Sequence, residues 1–302
     1  MPFLSAQSKA VLKWGYNRLW CRWPVMLLPL VRRFKRDHDY FPNLLRPRSL
    51  NEKILYRMLF DRRKFIPTFA GKLESREFVK KRLGGDDALI PVRAIIDKAD
   101  DVDTIDLSGR FIMKATHGSG MLYLHNVDTP PDREHLKQLC NQWLTFDFAK
   151  HKREWCYKNV RRAVIVEELI TDEQGNIPRD YKIFCYDGVP RYIKVDSDRF
   201  IRETSDIFDC DWTHIPGHTG SPPSDSLPPQ PRHLKELLAM AATLSRGVDF
   251  VRVDLYDTGE QVKFGELTTT PARAMYMFNR RELDYEFGSH WKQTTKREVP
   301  DV

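Results

Sequence analysis

The sequence predicts an α+β fold built on antiparallel sheets, and three observations carry that reading. From residue 111 onward strand signals dominate. They come as neighbouring pairs joined by turn segments, Asp187-Gly188 and the residues around Gly259, rather than alternating with helices. Helical patterns are set apart, mostly before residue 84 and around residues 132–149 and 232–246.

Each element has a local cause. Ser49-Leu50-Asn51-Glu52 has N-cap chemistry ahead of a helix expected from Glu52 to Arg62. A second helix, Lys72 to Leu83, is closed by Gly84-Gly85. Phe111 to Lys114 and Met121 to Leu124 read as strands on either side of a glycine loop. Ala163 to Glu168 is an apolar strand ending in two carboxylates, and Tyr181–Tyr186 with Arg191–Val195 form a hairpin about Asp187-Gly188. Leu234, Leu237, Leu238, Ala241 and Leu244 recur at helical spacing. The last strands run Phe250–Tyr256 and Val262–Thr268. Residues 216–232 are the clearest loop, and no internal repeat is present. Four regions follow: a basic, aromatic-rich helical extension (1–46), an N-terminal lobe (47–110), a small lobe with the glycine loop (111–190) and a C-terminal lobe (191–302).

The composition of 41% hydrophobic, 30% charged and 12% aromatic residues is that of a folded globular chain. A net charge of +7 favours anionic partners without choosing among them. Cys21, Cys140, Cys156, Cys185 and Cys210 form no CxxC pair, which argues against zinc and for reduced thiols in the cytoplasm. Trp23 to Val31 is an uncharged apolar run of nine residues, against the roughly 20 that a membrane span needs. Residues 11–36 mix tryptophans with arginines and lysines. A helical cap packed on the main fold is the preferred reading; peripheral contact with the inner face of a membrane is the other.

The chemistry begins on the last two strands. A three- or five-residue turn about Gly259 would set residue 254 opposite 264 and 252 opposite 266. Asp254 and Glu266 then become diagonal neighbours on one face, together with Arg252 and Thr268. Two carboxylates so placed can hold one Mg²⁺, with phosphate and water completing it, and Arg252 could neutralise a transferring phosphoryl group. Lys114, followed by His117-Gly118-Ser119-Gly120, suits phosphate: a strand-borne lysine and a nest of backbone N–H groups. The order is not that of a Walker A loop. Glu167-Glu168-Leu169-Ile170, at a strand end, could read an adenine edge and a ribose hydroxyl.

Taken in order, these stretches resemble the ATP-grasp superfamily, and more closely its TupA-like family, linked to teichuronopeptide and other surface-polysaccharide synthesis. Further matching stretches are Phe41-Pro42, Ser49 to Lys53, Lys72, Asp180-Tyr181-Lys182, Val195 to Arg199, Arg252 to Tyr256 and Gly265 to Thr268. The resemblance implies two α+β lobes enclosing the nucleotide. It implies Lys72 and Lys114 on ATP phosphates, Gly118, Ser119 and Gly120 in a mobile flap with His117 beside the nucleotide, and Glu167, Glu168, Leu169 and Ile170 on adenine and ribose. Asp180, Lys182 and Lys194 would lie near the nucleotide. Asp254 and Glu266 would hold Mg²⁺ (or Mn²⁺), with Thr268 where relatives carry a metal-binding asparagine, and Arg252 would stabilise acyl-phosphate formation. Asp196 and Arg199 would touch substrate. The sequence departs from the family at Gly71, where an aspartate is usual, and at Pro271-Ala272-Arg273, where a glycine-containing turn is expected. The implied activity is an ATP-dependent carboxylate–amine ligase that joins an amino acid or other amine to a uronic acid of a surface saccharide.

Two rivals come from other classes. Asp196-Ser197-Asp198 and Asp209-Cys210-Asp211 both spell DxD, which a metal-dependent glycosyltransferase would use to hold a sugar nucleotide. A basic scaffold binding nucleic acid or membrane is disfavoured, because the basic residues are spread and no nucleic-acid motif is present.

Overall fold

The structure is a computed structural model, and it describes residues 23–197, 203–294 and 299. Among the described residues four helices come first: α1 (Trp23–His38), α2 (Leu50–Phe60), α3 (Phe65–Ala70) and α4 (Lys72–Leu83). A first sheet has the order β1-β4-β2-β3, from Val92–Ile96, Val164–Glu168, Phe111–Ala115 and Leu122–His125. A second has the order β7-β6-β5-β8-β9, from Thr204–Asp209, Val189–Ser197, Asp180–Tyr186, Phe250–Asp257 and Val262–Thr268. Every pairing is antiparallel, as the α+β reading expects.

Local chemistry explains the element ends. The Ser49 hydroxyl accepts from the Glu52 N–H at 3.2 Å, and the Glu52 carboxylate accepts from the Ser49 N–H at 3.2 Å. This reciprocal box starts α2 at Leu50, two residues earlier than expected. Gly84, at φ 78°, closes α4 after Leu83. Asp187 and Gly188 both have positive φ, which matches the twist of the β5–β6 hairpin. The helix expected over 132–149 is two, α5 (Arg133–Thr145) and α6 (Phe148–Lys152), because Asp147 caps a new start by accepting from the Lys150 N–H at 3.0 Å.

Alternation assigns each sheet one apolar and one working face. Ile183, Cys185, Ile193, Val195, Val251, Val253 and Leu255 of the second sheet pack with α7 (Leu234–Ser245). The opposite face is split lengthwise. Phe184, Tyr186, Tyr192 and Phe250 form a core with α1, α2 and α8 (Arg281–Ser289), while the other end of the same strands is polar. Phe111, Met113, Val164 and Val166 of the first sheet pack on α5, which leaves Ile112, Lys114 and Glu167 for the cleft between the sheets.

Strand pairing cuts across the expected boundaries at 110 and 190. β1, from the expected N-terminal lobe, pairs with β4, and β5, from the expected small lobe, is the central strand of the second sheet. The break between sheets lies in the connection between β4 and β5. Helix α1 buries Met26, Leu30 and Phe34 in the second core, in keeping with a helical cap. Residues 1–22 lie outside the described residues, and with them much of the segment read for membrane contact. Among the described residues no helix is long and apolar enough to cross a membrane.

Candidate active site

The carboxylate pair is built by a bulge. Asp257 pairs with Val262, so the β8–β9 loop holds four residues, 258–261, an even number that would send Asp254 and Glu266 to opposite faces. The register shifts between Asp254 and Leu255: Leu255 pairs with Phe264, Asp254 pairs with Glu266, and Gly265 is the extra residue. Asp254 and Glu266 are therefore directly opposite rather than diagonal, and Arg252 faces Thr268 rather than residue 266. A Cβ on Gly265 would stand 3.0 Å from the Asp254 carbonyl oxygen and 3.0 Å from the Tyr256 ring. Gly265→Ala should cost about 1–3 kcal/mol and loosen metal-dependent nucleotide binding. Thermal melts and calorimetry check this; an alanine variant equal to the parent in both would show that the bulge does not set the pair.

The Arg252 guanidinium lies within this group. Its Nε and one Nη donate to the two Asp254 oxygens at 2.7 and 2.6 Å, and the same Nη reaches Glu266 at 2.8 Å and the Thr268 hydroxyl at 3.2 Å. The other Nη donates to the Tyr276 hydroxyl at 3.1 Å. Thr268 donates to Glu266 at 2.9 Å. Burial is the largest influence on Asp254; it raises the carboxyl above the ordinary range although Arg252 pulls it back. Burial also pushes Glu266 up, but Arg252 first and then Lys72, the Thr268 hydroxyl and Lys182 together outweigh it and bring it down to about 2. Among the described residues no three His, Cys, Asp or Glu side chains converge. A hard dication here would rest on these two carboxylates, with phosphate oxygens and water completing it, a donor set that fits Mg²⁺.

Cations face the pair across a cleft of about 1050 Å³ lined by both sheets and α4. Lys114 donates to Glu167 at 2.7 Å, and Lys72 to the Gly118 carbonyl at 2.7 Å. Both lie close enough to feel the Glu266 charge. Burial lowers Lys72 below the usual lysine value. On Lys114 burial is again the largest influence, but Glu167, Tyr256 and Glu266 together outweigh it and the net shift is upward.

The predicted residues mostly converge. Lys72, Lys114, Ser119, Gly120, Glu167, Glu168, Leu169, Ile170, Asp180, Lys182, Asp196, Arg252, Asp254, Glu266 and Thr268 all line the cleft. His117 and Gly118 do not: His117 is buried, with Nε2 at 3.0 Å from the Trp143 carbonyl, a packing role. Lys194 does not line the cleft but is buried beside it, bonded to Asp196, while Lys182 bonds Asp180 and pairs with Asp196 at 2.7 Å. Arg199 and Asp198 lie outside the described residues. Of the DxD stretches, Asp209 accepts from the backbone N–H groups of Asp211 and Thr213 at 2.9 and 2.8 Å, so it shapes a turn away from the cleft.

Sequence reasoning missed Arg76, Glu154 and Arg273, which also line the cleft. Arg76 donates to Glu167 at 2.9 Å and to the Ile90 carbonyl at 2.7 Å. Its spacing of four from Lys72 on one helix was a usable signal. Glu154, set among lysines and arginines, carried none. Burial pushes its carboxyl up from 4.5 to about 7, despite Arg273 and Arg33. The unfolded chain releases this proton near 4.5 and the folded chain near 7, so stability should fall as pH rises between those values. The size is on the order of 3 kcal/mol, levelling off above pH 7. Melting curves at pH 5 and 8 test this: Glu154→Gln should flatten the decline, and an unchanged slope would refute it.

The TupA-like ATPgrasp family profile matches residues 52–292. With the cleft, its cations and its carboxylate pair, this match means that the chain belongs to the TupA-like ATP-grasp family. No curated protein matches the sequence. Among solved structures it is similar to the D-alanine–D-alanine ligase from Helicobacter pylori, at 12% identity, over 81% of this chain and 68% of that one, TM-score 0.43. It is also similar to the VanG D-Ala:D-Ser ligase from Enterococcus faecalis, at 13% identity, over 73% and 59%, TM-score 0.43. A third is the ATP-grasp ligase PsnB complexed with minimal precursor, at 12% identity and TM-score 0.40, over 75% of this chain; the match spans only 56% of the PsnB chain.

Proposed function

We propose that the chain is an ATP-dependent carboxylate–amine ligase working through an acyl phosphate. The observation that carries this is the direct pairing of Asp254 with Glu266 beneath Arg252, in one cleft with Lys72 and Lys114. Asp254 and Glu266 would hold Mg²⁺, with the Thr268 hydroxyl orienting Glu266. A bound Mg²⁺ would neutralise charge on the phosphoryl oxygens. Lys72 and Lys114 would bind phosphates, Ser119 and Gly120 would cover them, and Glu167 to Ile170 would hold adenine and ribose.

In the first step a substrate carboxylate oxygen attacks the γ-phosphorus and ADP leaves. Arg252 offsets the charge that gathers there, and the covering loop excludes water from the acyl phosphate. An amine then attacks the acyl carbon, the C–O bond to phosphate breaks, and a proton is released with inorganic phosphate. Family resemblance supports a uronic acid of a surface saccharide as the carboxylate and an amino acid as the amine, with the work done in the cytoplasm where ATP is supplied.

The test is ADP release screened across amino acids, with uronic acids as the carboxylate partner. ADP release that needs both partners supports the reading. UDP release from a sugar nucleotide, or neither ADP release nor Mg-ATP binding, would overturn it.

A further inference from the structure

We propose that Glu154 and Arg273 form an α-amino-acid subsite beside Glu266, Glu154 taking the ammonium and Arg273 the carboxylate of the attacking substrate. The inference rests on the ligase reading and deepens it.

Glu154 precedes the short 3₁₀ turn Trp155–Tyr157 and is fixed by its N–H, which donates to the Ala149 carbonyl at 2.9 Å. Its side chain is 7% exposed and lines the cleft, and its carboxylate stands almost alone. Among the described residues it makes no hydrogen bond, and its one ion pair is a loose 3.9 Å approach from the Arg273 Nε. Buried polar groups are nearly always hydrogen-bonded, so a carboxylate left this way at a cleft wall points to a partner that arrives from the cleft. Glu154 lines the same cleft as Arg252, Asp254 and Glu266.

Arg273 is held by an unusual backbone. Ala272, Arg273 and Ala274 have φ of 50°, 53° and 62°, the left-handed region that favours glycine, at the place where the family resemblance leads one to expect a glycine-containing turn. Such a run persists only where its surroundings over-determine it. Arg33 of α1 bonds the Arg273 carbonyl, and His38 Nε2 donates to the Ala274 carbonyl at 2.8 Å. Asn51 of α2 brackets the Tyr276 backbone, at 2.9 Å to its N–H and 3.0 Å to its carbonyl. Helices α1 and α2 therefore clamp the turn, and the turn carries Arg273 into the cleft. The loose pair leaves guanidinium donors for a planar carboxylate.

Two opposite charges side by side, each weakly paired with the other, match a zwitterion. A simple amine would strand Arg273, and an acid would strand Glu154. An α-amino acid satisfies both.

The experiment loads the full chain with the ATP analogue AMP-PNP and Mg²⁺ and titrates it calorimetrically with the twenty L-amino acids, their methyl esters and their N-acetyl derivatives. An amino acid should bind, and blocking either end should weaken it about tenfold or more. Arg273→Met and Glu154→Gln should each do the same while AMP-PNP affinity stays within about twofold of the parent. The proposal is overturned if no amino acid binds the loaded protein, or if blocked derivatives or either variant bind equally well. Failure of the parent chain to bind AMP-PNP with Mg²⁺ would instead overturn the ligase reading beneath it.

Discussion

Replacing Asp254 by asparagine is expected to lower Mg²⁺-dependent nucleotide turnover by about 100-fold or more while leaving the fold intact. The residue is 2% exposed and opposes Glu266 across paired strands, so its removal takes away one of the two carboxylates proposed to hold the dication. Burial disfavours its charged form, so a neutral isostere should not destabilise the chain. Arg252 keeps Glu266, Thr268 and Tyr276 as partners. The expected pattern is therefore an equal or higher melting temperature together with lost turnover, the trade-off of a site kept for chemistry rather than stability. Glu266→Gln should lose turnover likewise. ADP formation measured beside melting curves checks both; a fully active Asp254→Asn chain would remove the metal from that pair.

The second large effect is structural. Arg57 is fully buried, and one Nη donates to Asp249 at 2.6 Å. Its other Nη donates to the Phe250 and Thr269 carbonyls at 2.7 and 3.1 Å. Asp249 also accepts from Arg63 at 3.0 Å and from the Trp291 indole at 2.9 Å. The network ties α2 to the start of β8 and to the residue after Thr268, so it supports both strands of the carboxylate pair. Asp249→Ala would leave two buried guanidinium groups without their shared acceptor, and should cost about 3–5 kcal/mol. Urea denaturation gives the number; a loss below about 1 kcal/mol would show that the network is relaxed at little cost.

Much of this architecture was legible because its causes are local. The capping residues of α2, the glycine after Leu83, the Asp187-Gly188 turn and the alternation along β8 and β9 each act within a few positions. What escaped depends on partners distant in sequence. β1 is a short, largely exposed strand that exists through its pairing with β4, and β7 (TSDIFD) is polar enough to read as loop. The bulge at Gly265 also has no pattern of its own: it is visible only once Asp254 and Glu266 are both placed on the cleft face. The carboxylates were thus found by their residue type and order, while their contact was reached by a different route from the odd-length turn expected. His117 shows the converse. It sits within the glycine loop, but its ring is buried against the Trp143 carbonyl, beside the core of the first sheet. Glu154 and Arg273 stand 119 residues apart, and only the fold joins them.

The central claim is that the cleft holds a nucleotide through a dication on Asp254 and Glu266. The most direct test is calorimetric titration of ATP into the full chain with Mg²⁺ and again with EDTA, for the parent and for Asp254→Asn. Saturable one-to-one binding that weakens by about 100-fold on removal of either the metal or the carboxylate is the predicted result. Absence of binding, or binding indifferent to both changes, would contradict the account.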